Sequence, residues 1–335
     1  MFNSMLLNVT GIIVIVIILS ECIESNFNDN FYNASLLNFY RRTALNDLYS
    51  EEEKYSVDHS RNQQQNNAGE FSHMASVGWN TGDKIHYLCA GTLISSKFVL
   101  TAAHCMLNGD GKQPTVVRLG DPNLVGVGND ALSQLIGIRN FRRHPKYRSS
   151  RKYFDIAIIE LETEAKFDGA TCPACLWPEE DMPTEKLHAI GNGGMVHKKR
   201  PNPLLQKIAL SYIDRPTCTE QLPVSTRALP HGFSKEQFCA GSDNVDTCEG
   251  DSGGPLQVER VLKDGSVIPL VVGIVSFGSP CSSNSIGVYT RVASFVDWIE
   301  EETEQNFDYT TCSSSPFCLR RKCAHSKKEE YSVLK

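Results

Sequence analysis

The chain has 335 residues, room for two ordinary domains or one large one at roughly 150 residues each. Hydrophobic residues make up 41% and charged residues 21%, which supports a buried core and argues against global disorder. Thirty-three Lys and Arg against 39 Asp and Glu leave a net charge of -6, so there is no overall basic footprint for nucleic acid. Composition also excludes a collagen, a coiled coil and a polytopic membrane protein. Twelve cysteines point to an oxidising compartment or to metal.

Residues 11–19 form an unbroken apolar run followed by Ser20, Glu21, Cys22 and Ile23. The run is short of the about 20 residues that span a bilayer and has the length of a secretory core segment. Residues 1–20 therefore read as a signal peptide, with the boundary between 20 and 25. Cleavage after Ser20 or after Cys22 would each leave a small residue at the cut. No Lys or Arg precedes the run, so an uncleaved anchor is the alternative. The expectation is a secreted, extracellular protein without a membrane partner, its cysteines held as disulfides. Residues 21–59 are polar, with the acidic Glu51, Glu52 and Glu53, and read as a pro-segment or leader. Asn33, with Ala34 and Ser35, is an N-glycosylation acceptor.

From Phe71 onward, short β-rich runs alternate with turn residues, among them residues 93–95, 98–100, 115–118, 156–159 and 270–275. Such spacing predicts an all-β sandwich or barrel. One helical pattern stands out: Val292, Phe295, Val296, Trp298 and Ile299 share a face at 3.6 spacing, with an acidic run over 300–304 behind them. Residues 304–335 form a tail with Cys312, Cys318, Cys323 and a basic stretch at 320–322. No repeat of 20 to 50 residues is visible.

Three segments carry the chemistry: residues 100–105 (LTAAHC), 154–159 (FDIAII) and 249–255 (EGDSGGP). A hydroxyl at its free pKa is a poor nucleophile and needs a base to take its proton. A His whose second nitrogen is held by a buried carboxylate supplies that base in the right tautomer. Glycines flanking Ser252 let backbone N–H groups converge where an oxyanion would form. The order is His104, Asp155, Ser252.

These segments resemble those of the chymotrypsin-fold, trypsin-like serine proteases, over about residues 60–303. The resemblance implies two antiparallel six-stranded β-barrels with a C-terminal helix, and an active site between the barrels. It implies His104 as general base, Asp155 as its orienter and Ser252 as nucleophile. The N–H groups of Gly250 and Ser252 would form the oxyanion hole. It also implies three bridges, Cys89–Cys105, Cys218–Cys239 and Cys248–Cys281. Cys172 and Cys175 have a metal-ligand spacing, but no second such pair accompanies them, so no metal and no cofactor is expected. Cys175 pairs either with Cys22, tethering the leader, or with Cys172 or the tail.

In the same family, Asp246 matches the carboxylate at the base of the primary pocket. Ser276, Gly278 and Gly287 match positions lining that pocket. A carboxylate at the end of an open slot selects a cation, above all a guanidinium held in a bidentate fork. The implied partners are protein substrates with Arg or Lys at the cleavage site, an upstream activating protease and serpin-type inhibitors.

The activation segment departs from the pattern. In the family a freed Ile or Val ammonium pairs with the Asp before the nucleophile, here Asp251. The new terminus should fall near Ser60, where the chain reads Tyr55 to Arg61 followed by Asn62, with no IVGG. A protease-like protein without catalysis, acting as a binder or regulator, is therefore the alternative. Residues 70–79 and 173–177 further resemble arthropod clip-associated, Snake-like proteases, which serve cascades in immunity, melanisation and development. Residues 1–67 hold one cysteine, Cys22, so the six-cysteine clip module is not expected there.

Overall fold

Short apolar runs, several of them buried along their whole length, build the structure. In the computed structural model, residues 70–82, 84–121, 133–191, 205–242, 251–261, 267–279 and 286–307 are described. Six strands, β1 (Met74–Asn80), β2 (Ile85–Leu93), β3 (Phe98–Thr101), β4 (Val116–Leu119), β5 (Gln134–Arg143) and β6 (Ala157–Leu161), close into an antiparallel barrel in the order β1-β2-β3-β6-β5-β4. Closure leaves no sheet edge open to another chain. Ile158, Ile159, Leu161, Leu93, Leu100 and Leu119 are fully buried, each contributing about 1.5–3 kcal/mol relative to exposure.

A second set follows: β7 (Cys175–Leu176), β8 (Leu187–Gly191), β9 (Gln206–Ile213), β10 (Gln237–Gly241), β11 (Pro255–Val261), β12 (Val267–Gly278) and β13 (Ile286–Arg291). The order β11-β8-β9-β10-β13-β12, with β12 returning to β11, closes a second six-stranded antiparallel barrel. The short β7 adds to β12 in parallel. The expected fold class is thus the observed one. Of the sequence segments read as strands, residues 93–95 differ: β2 ends at Leu93, and Ile94 and Ser95 turn back to Phe98 through backbone hydrogen bonds.

The C-terminal helical pattern is split. Val292–Phe295 is a 3₁₀ turn, and α2 (Val296–Thr303) follows it, so the helix takes in Glu300, Glu301 and Glu302 rather than stopping before them. It ends at Glu304, whose φ of 55° is left-handed. A second helix, α1 (Arg215–Gln221), had no apolar periodicity to announce it. Its N-cap is Asp214, whose carboxylate accepts from Thr217 N at 2.9 Å, with a proline in the first turn.

Val292, Phe295 and Ile299 share a core with Val271 and Ile274 of β12 in the second barrel, but that core does not stop there. It takes in Val117, Leu119 and Ile158 of the first barrel. Arg142 of β5 donates to the Glu302 carbonyl at 2.5 Å. The C-terminal helix thus fastens the first barrel. No described helix is long and apolar enough to cross a membrane.

Candidate active site

The antiparallel register sets the site. Thr101 at the end of β3 lies opposite Ala157 at the start of β6. Residues just after β3 and just before β6 therefore share one barrel edge. A 3₁₀ turn over Ala103–Met106 follows β3 and carries His104. Its geometry is held by the Cys89–Cys105 disulfide, which ties the turn to β2.

Asp155 sits one residue before the buried Ile156 and is 2% exposed. Its Oδ2 lies 2.8 Å from His104 Nδ1, and Oδ1 accepts from His104 N at 2.9 Å. Ser276 Oγ donates to Oδ2 at 2.5 Å, and Thr290 Oγ1 donates to the Asp155 carbonyl at 2.9 Å. Burial alone would push this carboxyl up. The neighbouring His104 and the three donors outweigh it and hold the pKa below the ordinary Asp value. Asp155 is then an acceptor only, so His104 Nδ1 carries the proton, and in a neutral imidazole Nε2 is left as the acceptor.

Phe154 explains how a buried carboxylate is turned toward His104. Its φ is 56°, a left-handed conformation costly for an aromatic residue. Its ring stacks on His144 at 5.0 Å and meets Phe295 edge-on at 6.2 Å. Ile156 N closes a tight turn on the Phe154 carbonyl at 2.9 Å. Packing against the C-terminal helix thus helps to fix the residue before Asp155. Burial, with the Lys146 charge beside it, holds the His144 imidazole below its usual pKa, in the neutral form that suits stacking.

Ser252 comes from the second barrel, in the turn before β11. Its carbonyl accepts from Ala90 N of β2 at 2.8 Å and lies 3.6 Å from Cys105 Sγ. A ring nitrogen of His104 lies within 4.8 Å of the sulfurs of the same disulfide. The Cys89–Cys105 bridge thus lies against both the His104 ring and the Ser252 carbonyl. These sulfurs are bonded to each other, so the grouping offers no thiolate for a metal. Gly253 has a φ of 81°, and a side chain there would strike Thr101 Oγ1 and the Ala90 carbonyl, so only glycine fits.

Asp251 is 1% exposed, and its carboxylate packs against Gly191, where any Cβ would collide with it. Gly278 and Gly287 lie directly opposite each other across the β12–β13 ladder. An added Cβ would meet the Ile286 carbonyl at 2.7 Å at the first and Tyr289 Oη at 2.7 Å at the second. The Ser276 hydroxyl, read as lining the pocket, is committed to Asp155. Asp246, Gly250, Cys248, Cys281 and Asn33 lie outside the described residues. So do Cys22 and the tail cysteines.

Cys218–Cys239 is present and ties α1 to β10. Cys172 and Cys175 are both disulfide-bonded, so neither offers a thiolate ligand. Sequence reasoning named Ser276 as a pocket residue without its bond to Asp155, and missed Thr290 and Phe154.

The trypsin family model matches residues 60–299. Serine protease snk of Drosophila melanogaster is 42% identical over 243 residues, covering 70% of this chain and 54% of that protein. Serine protease Hayan of the same fly is 36% identical over 240 residues, 69% of this chain and 37% of the relative. CLIP domain-containing serine protease C9 of Anopheles gambiae is 32% identical over 257 residues, 72% of this chain and 67% of the relative. The chain thus spans about half the length of the first relative and less of the second. With two closed barrels, a His–Asp pair at the edge of one and the Ser-bearing turn of the other beside it, the chain belongs to the family of trypsin-like serine proteases.

Proposed function

We propose that the chain is a secreted serine endopeptidase that cleaves protein substrates after Arg or Lys within an extracellular proteolytic cascade. The observation that carries the catalytic reading is the ionised, buried Asp155, held by three donors against His104. In this reading Ser252 Oγ attacks the scissile carbonyl carbon while His104 Nε2 takes the hydroxyl proton. The oxyanion is received by the N–H groups of Gly250 and Ser252. His104 returns its proton to the leaving amine as the C–N bond breaks, which leaves an acyl ester on Ser252. Water, deprotonated by the same nitrogen, then hydrolyses the ester and regenerates the hydroxyl.

Arg or Lys selectivity rests on Asp246 with the glycine pair at 278 and 287, and secretion on the apolar run over 11–19. The cascade role, with an upstream activating protease and serpin-type inhibitors, is drawn from the resemblance to Snake-like proteases. A second reading, a non-catalytic binding or regulatory protein, is favoured by one observation: no Ile or Val follows Lys54 or Arg61. Purified protein treated with a serine-directed fluorophosphonate, beside turnover of an Arg-terminated chromogenic peptide, separates the two. Labelling and turnover that Ser252→Ala abolishes support the endopeptidase. A folded wild-type protein that neither labels nor turns over, after proteolytic processing near residue 60, sinks it.

A further inference from the structure

Residues 139–152 contain seven Lys or Arg and neither Asp nor Glu, in a chain whose net charge is -6. The seven divide into two groups by what they face. Arg142 lies 2.6 Å from Glu160 Oε2 and 3.8 Å from Glu302, and Arg139 and Lys97 also reach Glu160. That end has carboxylate partners within the protein. Arg143, Lys146, Arg148, Arg151 and Lys152 have no carboxylate within ion-pair reach among the described residues. Arg143 stands over Tyr147, Lys146 over Phe154 and Lys152 over Phe277, and Arg148 donates to the Pro145 and Tyr147 carbonyls. All but Lys152 are exposed.

This charge is presented on a fixed support. Tyr147 N bonds to the His144 carbonyl, Arg151 N to that of Arg148, and Lys152 N to that of Ala228 in the second barrel. Gln237 Nε2 donates to the Lys152 carbonyl at 2.6 Å, and Tyr153 Oη donates to the Gly232 carbonyl at 2.8 Å. Five like charges held within ten residues repel one another and raise the local potential for an anion.

The direction of the patch identifies the ligand. Its last cation, Lys152, sits 5.3 Å over the ring of Phe277, and the preceding Ser276 touches Asp155. The patch therefore ends, three residues before Asp155 in the chain, against the strand that carries Ser276. We propose that Arg143, Lys146, Arg148, Arg151 and Lys152 form a docking surface for an acidic stretch of the polypeptide that occupies the candidate active site. The proposal rests on the reading of that site as one for an Arg-bearing chain. It adds that the preferred substrate or inhibitor carries a run of Asp or Glu close to that Arg.

The test is binding, so it does not depend on turnover. Full-length protein with Ser252→Ala is titrated by fluorescence anisotropy with three labelled peptides. One joins a five-Glu block to an Arg, one replaces the Glu block with Gln, and one keeps the Glu block but replaces the Arg with Gln. Each is made with the block on either side of the Arg position. In one orientation the Glu–Arg peptide should bind about tenfold more tightly than the Gln–Arg peptide, as several exposed ion pairs acting together allow. The advantage should fade in about 0.5 M salt, where screening is strong. It should also shrink severalfold in Lys146→Gln/Arg151→Gln, whose side chains make no hydrogen bond among the described residues, while Gln–Arg binding stays unchanged. Equal binding of the Glu and Gln peptides in both orientations overturns the proposal. So does a sulfated hexasaccharide that binds more tightly than any Glu peptide. If Glu peptides with and without Arg bind equally, the Arg-directed pocket fails and the patch stands.

Discussion

Replacing Phe154 by Ala and by Gly should invert the usual ranking of those two residues. At an ordinary position Gly is less stable than Ala by about 0.5–1 kcal/mol, because the unfolded chain gains freedom. At residue 154 the φ of 56° imposes about 1–2 kcal/mol on any residue with a Cβ. Both substitutions lose the stack on His144 at 5.0 Å and the edge contact with Phe295, so that loss cancels in the comparison. The Gly variant should therefore be the more stable of the two by about 0.5–1 kcal/mol. In urea unfolding with a slope of about 2 kcal/mol/M, this is a midpoint higher by about 0.25–0.5 M at unchanged slope. Both variants should lie below wild type, since a half-buried ring and its stacking are worth about 2 kcal/mol. An Ala variant as stable as the Gly variant, or more so, would refute the claim that backbone strain precedes Asp155.

Other consequences are as direct. The Asp155 pKa is held below its unfolded value of about 3.9, so the unfolded state binds more protons between the two values and stability falls as pH drops through that window. Asp155→Asn should flatten this acid limb in pH-dependent unfolding; an unchanged limb would show that Asp155 does not carry it. Burial, with the Asp155 charge nearby, pushes the Tyr147 phenol up to about 12. The ultraviolet difference between wild type and Tyr147→Phe should then show no phenolate gain below about pH 11, and a normal curve near pH 10 would contradict it. Gly191→Ala should abolish peptide turnover with little loss of secretion, because the methyl displaces the Asp251 carboxylate next to Ser252; full turnover would mean that its seat is not needed. Ile158→Ala, at a fully buried position, should cost about 2–5 kcal/mol in urea unfolding, and a loss under 1 kcal/mol would indicate a core able to collapse.

Much of this protein is legible in residue order alone. Short β-rich apolar runs between turn residues announce strands, because branched side chains fit a pleated, buried surface. The segments around His104, Asp155 and Ser252 announce their chemistry, because nucleophile, base and orienter need those side chains with small neighbours. The C-terminal apolar stripe is legible too, but not what it packs on: Val292, Phe295 and Ile299 follow the last strand of the second barrel and enter a core that takes residues from both barrels. A periodicity reports that a face is buried and nothing about the surface that buries it. The short α1 rests on a cap and a proline, signals too local to separate from a turn.

Only the tertiary structure decided the second sphere of the site. The Ser276 hydroxyl, 121 residues from Asp155 in sequence, reaches its carboxylate, while Phe154 acquires its left-handed backbone through packing against His144 and Phe295. The charge on residues 143–152 is visible in sequence; that no carboxylate among the described residues comes within ion-pair reach of it is not. Whether Glu160 neutralises Arg142 or Arg148 depends on which strands lie side by side. Local patterns follow from each residue's own stereochemistry and solvation. Pairings across the barrels depend on register and closure, which no single stretch of chain contains.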